Sequence, residues 1–316
     1  MLVHVYSGLM SRCNVIAQAV RLINENNDKE LTLVWPLEKD CHIRYRDVFS
    51  KDSLGGIKVR VIEYKVFKAT DLRELAPDPF KVISEFCRRF VHNCFKKKLE
   101  RALEGKTFVD FAPPPEVGWE GKSFENFMSL SAFKVKEIVK KEGTAGLAVH
   151  AFSDILFVGT ESGHASDESV DETLTDLSCI RFRKDLVSEA ECLIPAGDTI
   201  GLHIRRTDHA AATEISSTDG FIIAIEKEIE ADPNVRFFLA TDSPEEENNL
   251  KERFGDRIIV QQDKSWGRED KASMRSGILD MLCLSGCKKI YGSYKSAFSE
   301  FAARYGGIEL IVVSDR

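Results

Sequence analysis

Thr199-Ile200-Gly201-Leu202-His203-Ile204-Arg205-Arg206-Thr207-Asp208 decides the fold. Residues 199–204 form a short, mainly apolar run, which is the composition of a strand buried on both faces. Four charged or hydroxyl-bearing residues follow at once. Alternation along a strand puts His203 and Arg205 on one face and Ile204 on the other. Downstream, residues 221–229 have helical apolar spacing, 235–240 read as strand, and 244–254 as a helix opened by Pro244 with acidic residues behind it. Residues 257–261 read as strand, 274–284 as an apolar helix, and 289–292 as strand. Residues 297–304 read as a helix ending at Gly306-Gly307, and 308–313 as a last strand. Such regular β-α alternation predicts a parallel sheet covered by helices, with ligands bound beyond the carboxyl ends of the strands.

The N-terminal part opens in the same way. Residues 2–6 read as strand, 12–24 as helix and 31–35 as strand. Residues 57–66 suggest a further strand, 79–98 a long helix, 127–142 a helix and 148–158 a strand. Pro113-Pro114-Pro115 and the polar stretch 159–171 read as loops. Pro195, Gly197 and Asp198 break the chain before the Thr199 strand, which places a domain boundary between 1–195 and 196–316. The expected fold is therefore α/β with two Rossmann-like domains.

Composition narrows the functional classes. The chain has 316 residues, and its net charge of -7 disfavours a nucleic-acid partner while leaving room for a local arginine pair to hold a small anion. No apolar run is long enough to cross a bilayer, and the N-terminus lacks a signal-peptide pattern, so the expected location is cytoplasmic. Eight cysteines include no C-x-x-C pair; Cys283 and Cys287, four apart, read as small core residues. No metal-ligand cluster stands out.

Six elements carry candidate chemistry. Arg205 and Arg206 have two readings: structural ion pairs with Asp208 and Glu214, or one guanidinium forked onto a phosphate while the other pairs with Asp208. The stretch Tyr291–Phe298 ends a strand and opens a helix near Ser296, which suits either N-capping or an anion. Asp242 holds a sugar hydroxyl or caps the helix at Pro244. Asp280 lies within Ile278-Leu279-Asp280-Met281-Leu282, where a carboxylate needs a partner such as Arg205 or the N–H edge of a guanine, unless that helix face is partly exposed. Glu214 follows a small-residue loop and is a candidate general base or a solvated side chain. Finally, Ser7–Asn14 is a strand-loop-helix segment without G-x-G-x-x-G or G-x-x-x-x-G-K-[ST], which argues against a dehydrogenase or a kinase.

Taken in order, His203-x-Arg205-Arg206-Thr207-Asp208, Ala240-Thr241-Asp242, Gly277–Ser285 and Ser296-x-Phe298 resemble the C-terminal half of the α-1,6-fucosyltransferases and the related rhizobial nodulation and protein O-fucosyltransferases. The resemblance covers 199–313. It implies a GT-B fold, two domains facing one cleft, with GDP-fucose bound mainly by the C-terminal domain and a glycan acceptor toward the N-terminal one. It also implies an inverting displacement without a metal.

Residue by residue, Arg205 matches the arginine on the donor's β-phosphate, and His203 and Asp280 match residues near the guanine. Ser296, Ala297 and Phe298 match the phosphate-contacting helix start. Asp242 matches the first of an acidic pair whose second position here is Ser243. A family lysine is replaced by His209, and Thr213-Glu214 keeps a Thr-Glu with one residue inserted before it, which makes Glu214 the candidate base. Gly8 and Arg12 fall where the family has an opening glycine-containing loop. Two rival readings follow from the departures: a catalytically silent nucleotide or glycan binder, and a transferase for another nucleotide sugar.

Overall fold

A computed structural model of the chain describes residues 1–65, 93–111, 116–117, 121–151, 177–194, 198–207 and 210–314. The expected loops at 113–115 and 159–171, the breakers Pro195 and Gly197, and the candidates Asp208 and His209 lie outside these residues. The chain divides into two units, Met1–Tyr45 with Asp52–Ile180, and Arg46–Lys51 with Arg181–Arg316.

In the first unit, Leu2, Val3 and Val5 are buried and carry β1 (Leu2–Val5) through the middle of a five-stranded sheet. β2 (Glu30–Leu37) and β3 (Lys58–Lys65) lie on one side of it, and β5 (Leu147–Ala151) and β4 (Thr107–Asp110) on the other. The order is β3-β2-β1-β5-β4, and every pairing is parallel. The chain steps outward from β1 to β3 and then crosses over, so the topological switch falls between β1 and β5. β4 escaped the sequence reading because it is a four-residue edge strand with only Val109 buried, which leaves no alternating pattern to detect.

The second unit repeats the design. β6 (Thr199–Ile204) is central, with β7 (Arg236–Thr241) and β8 (Ile258–Ile259) on one side and β9 (Lys289–Gly292) and β10 (Glu309–Val312) on the other. The order is β10-β9-β6-β7-β8, again all parallel, with the switch between β6 and β9. Ile200, Leu202 and Ile204 pack with Phe221, Ile225, Phe237 and Leu250 in one core cluster. Gly201 faces the other side, where an added Cβ would stand 2.9 Å from Leu284. The strand expected at 257–261 contracts to β8, and beyond it the Gln261 side-chain amide donates to the Ser276 carbonyl. Cys283 and Cys287 are both buried, as read.

The compact units divide the chain elsewhere than the boundary expected at 195/196. Helix Lys184–Leu193 belongs to the second unit, where Arg275 pairs with Glu189 and the Cys283 thiol lies 3.7 Å from the Ala190 carbonyl. Ser50 N–H donates to the Arg181 carbonyl at 2.9 Å, which draws 46–51 in with it. Asp198 falls inside that unit, between this helix and β6. No described helix is long and apolar enough to cross a membrane.

Two glycines test the packing. Helices Lys271–Ser285 and Ala297–Gly306 meet so closely at Gly306 that a Cβ there would sit 2.1 Å from the Ser285 carbonyl oxygen, whereas nothing lies within 4 Å of a Cβ at Gly277. Gly306→Ala is expected to destabilise the chain by about 1–3 kcal/mol through overpacking. Gly277→Ala is expected to stabilise it by about 0.5–1 kcal/mol through helix propensity. Urea unfolding of both variants checks the opposite signs.

Candidate functional site

Just beyond β6 the backbone is pinned from two neighbouring strands. Ser293, the first residue past β9, gives its N–H to the His203 carbonyl at 3.1 Å, and its hydroxyl accepts the Arg205 N–H at 3.0 Å. Asp242, the first residue past β7, accepts the Arg206 N–H at 2.7 Å and both the N–H and hydroxyl of Thr207 at 3.3 and 2.7 Å. Burial pushes the Asp242 carboxyl up, but the Thr207 and Arg206 donors and the Arg205 charge outweigh it and hold the group below its usual range. Asp242 is therefore occupied in shaping this loop. The cap of helix Pro244–Phe254 is Ser243, whose hydroxyl accepts the Glu246 N–H.

The two arginines separate cleanly. The Arg206 guanidinium donates to the carbonyls of Arg205 and Ser216 at 3.0 Å each and to Thr218 and Glu246 at 3.2 Å each. It is a structural residue that pairs with Glu246 from helix Pro244–Phe254; the expected partner Asp208 lies outside the described residues. Helix-borne Glu246 lies forty residues on, beyond the reach of any local pattern. Glu214 stands exposed in a short helix, Ala210–Ile215, where a loop was expected.

His203 is buried at the end of β6, as alternation requires. Its ring stacks on Phe298 with centroids 4.8 Å apart, and its Nδ1 lies 3.4 Å from the Ser296 hydroxyl. Burial, then the charges of Arg205, Lys264 and Arg268, bring its pKa down to about 3 against the opposing pull of Asp242. Ser296 occupies the N-cap position of helix Ala297–Gly306, but its side chain makes no capping bond. The first-turn N–H groups of Ala297 and Phe298 have no intrahelical acceptor, which is the geometry that receives an anion. Lys295, just before, takes a left-handed backbone with φ of 47°.

Asp280 lies behind this edge, and its partner is a correction. Lys264 Nζ is 2.7 Å from Asp280 Oδ2, and Gln261 donates to Oδ1 at 3.1 Å, so the buried carboxylate is met by the loop after β8 and not by Arg205. Burial still raises the Asp280 pKa. Lys264 also donates to the Thr241 carbonyl at 2.7 Å and covers the Trp266 ring, which ties that loop to the end of β7.

The structure thus gathers His203, Arg205, Asp242, Ser296, Ala297 and Phe298 at one sheet edge, with Asp280 behind them. Gly8 and Arg12 belong to the first unit. Arg12 is fully buried there, donating to the carbonyls of Ser7 and Pro36 at 2.8 and 2.7 Å and pairing with Glu38, so it holds its own loop in place. Sequence reasoning missed Ser293 and Lys264. Ser293 was signalled by its place directly after a strand; nothing in the spacing joins Lys264 to Asp280. Among the described residues no group of three or more His, Cys, Asp or Glu is placed to hold a metal.

The depressed His203 pKa has a stability consequence. The unfolded chain binds this proton near pH 6.5 and the folded chain only near pH 3. Stability is therefore complete above about pH 6.5 and falls on acidification, by about 1.4 kcal/mol per pH unit for this group. Measured by urea unfolding, the margin of the wild type over His203→Gln should shrink by roughly 1–2 kcal/mol between pH 7 and pH 5.

No family model matches the chain, and no curated protein sequence matches it. Solved structures do. The chain is similar to the NodZ α-1,6-fucosyltransferase co-crystallized with GDP, with 15% identity, a TM-score of 0.54, and 95% of this chain and 91% of that chain covered. It is similar to the selenomethionine form of the fucosyltransferase NodZ from Bradyrhizobium, with 15% identity, a TM-score of 0.52, and 95% and 90% covered. It is also similar to POFUT1 in complex with GDP, with 10% identity, a TM-score of 0.53, and 99% and 97% covered. Over nearly its whole length the chain has the α/β fold of these fucosyltransferases, built on two parallel five-stranded sheets.

Proposed function

We propose that the chain is a glycosyltransferase that moves fucose from GDP-fucose to a hydroxyl of a glycan or glycoconjugate. The observation that carries this reading is the pinned Arg205 at the β6–β9 switch, beside buried His203 and the open first turn of helix Ala297–Gly306. That edge offers a diphosphate one planar guanidinium and a set of oriented N–H groups. Solved structures with this fold include fucosyltransferases in complex with GDP and with GDP-fucose.

In this reaction the bond from the anomeric carbon to the diphosphate oxygen breaks as the acceptor oxygen bonds to the opposite face, so the configuration inverts. Negative charge grows on the departing GDP. Arg205, the Ala297 and Phe298 amides and the Ser296 hydroxyl meet that charge without reorganising. His203, kept neutral by its burial, adds a hydrogen-bonding ring beside the donor. Asp242 acts by positioning Arg206 and Thr207, and Asp280 by holding Lys264. The acceptor proton goes to a base on the same edge, for which Glu214 is the candidate.

Arg205→Ala should lower turnover by at least about 100-fold, the scale of losing one preorganised charge donor, and weaken GDP binding. Arg205→Lys should recover only part, since an ammonium cannot fork. Near-normal turnover in Arg205→Ala, measured by GDP release, would sink the assignment. Addition of a chelator should leave the rate unchanged; loss of activity that returns with a divalent cation contradicts the metal-free displacement.

A further inference from the structure

Helix Gly121–Glu142 packs against β4 and β5 of the first unit. Ser131, Ala132 and Val135 are buried, and Ile138 and Val139 half-buried, which fixes the side it turns to the sheet. The opposite side of such a helix is ordinarily polar. Here it carries Leu130 and Phe133, which are 62% and 60% exposed. At about 100° per residue these two stand about 60° apart, together at the middle of the outward face. Lysines border them on both sides. By the same spacing Lys134 and Lys141 run along one edge, and Lys122, Lys136 and Lys140 along the other. All five are exposed. Among the described residues, Lys141 pairs with its neighbour Glu142 at 3.8 Å, and the other four have no ion-pair partner. Glu137 is the one acid among the described residues at the middle of this face.

A single exposed leucine or phenylalanine needs no account. Two together inside a border of unmatched ammonium groups do, in a chain whose net charge is -7. The pattern selects among partners. A second copy docked on this face through a two-fold axis would set lysine against lysine. A nucleic acid would satisfy the lysines and leave the two apolar side chains in water. The boundary between lipid headgroups and acyl chains meets both needs at once. Leu130 and Phe133 enter it, while the long lysine stems reach back and keep their ammonium groups among anionic headgroups.

We propose that the outward face of helix Gly121–Glu142, with Leu130 and Phe133 at its centre and Lys122, Lys134, Lys136 and Lys140 around them, docks the chain on a membrane surface that carries anionic lipid. The inference is independent of the transferase reading. Its test is flotation of the full chain with phosphatidylcholine vesicles and with vesicles of phosphatidylcholine and phosphatidylserine. The chain is used as wild type, as the double variant Leu130→Ser with Phe133→Ser, and as the double variant Lys134→Glu with Lys140→Glu. The wild type should float with the phosphatidylserine vesicles only, and less as salt is raised. Each variant should lose at least about tenfold in vesicle affinity while its thermal unfolding midpoint stays that of the wild type, since every altered side chain is exposed. A photo-crosslinking phosphatidylserine in the same vesicles should mark residues 126–141 of the wild type, a readout that does not depend on how the variants fold. No flotation of the wild type, equal flotation with phosphatidylcholine alone, wild-type affinity in either variant, or crosslinks confined to other segments overturns the proposal. A lipid-free dimer that the Leu130→Ser, Phe133→Ser variant splits gives the face to a second copy and overturns it as well.

Discussion

The Asp242 carboxylate is the constraint on which the second unit's site depends. A strand that ends at a sheet edge leaves its next residues without ladder partners, and their N–H groups must find acceptors elsewhere. Asp242 takes those of Arg206 and Thr207, and the Ser293 hydroxyl takes that of Arg205. Three consecutive residues are thereby fixed by the strands on either side. Only after the backbone is held does the difference between the two arginines arise: Arg206 is turned into the protein toward Glu246 and Ser216, and Arg205 is held at the edge.

The same edge shows how charge can be concentrated in an acidic chain. Arg205, Lys264 and Arg268 all act on His203, and Asp242 opposes them. Lys264 is matched by Asp280, in a pair buried on both sides. A net charge of -7 therefore coexists with a local excess of positive groups near the first turn of helix Ala297–Gly306. The first sheet's edge, built on the same β-strand logic, carries Asp110 and two neutral histidines instead. Fold sets where ligands go, and the side chains at each edge set which ligand is accepted.

Much of this was legible in the residues. The run 199–204 is β6 to the residue, and 289–292 is β9, because short apolar strands between turn formers and helices leave little room for error. The C-terminal order of elements followed from the apolar runs and their breakers, and the grouping of His203, Arg205, Ser296 and Phe298 from strand ends taken with the family resemblance. What was hidden depended on distance along the chain. Glu246 as partner of Arg206, Lys264 as partner of Asp280, and the placing of helix Lys184–Leu193 in the second unit are tertiary facts with no local signature. Arg12, which falls where the family has a glycine-containing loop, lies in helix Leu9–Glu25 and is buried against three acceptors, a structural role that the residue pattern does not signal.

A crystal structure of the chain with GDP tests the central claim most directly. The account predicts the diphosphate at the β6–β9 switch, with Arg205 forked onto it and the Ala297 and Phe298 amides within hydrogen-bond reach. GDP bound elsewhere, or bound with Arg205 turned away from its phosphates, contradicts it.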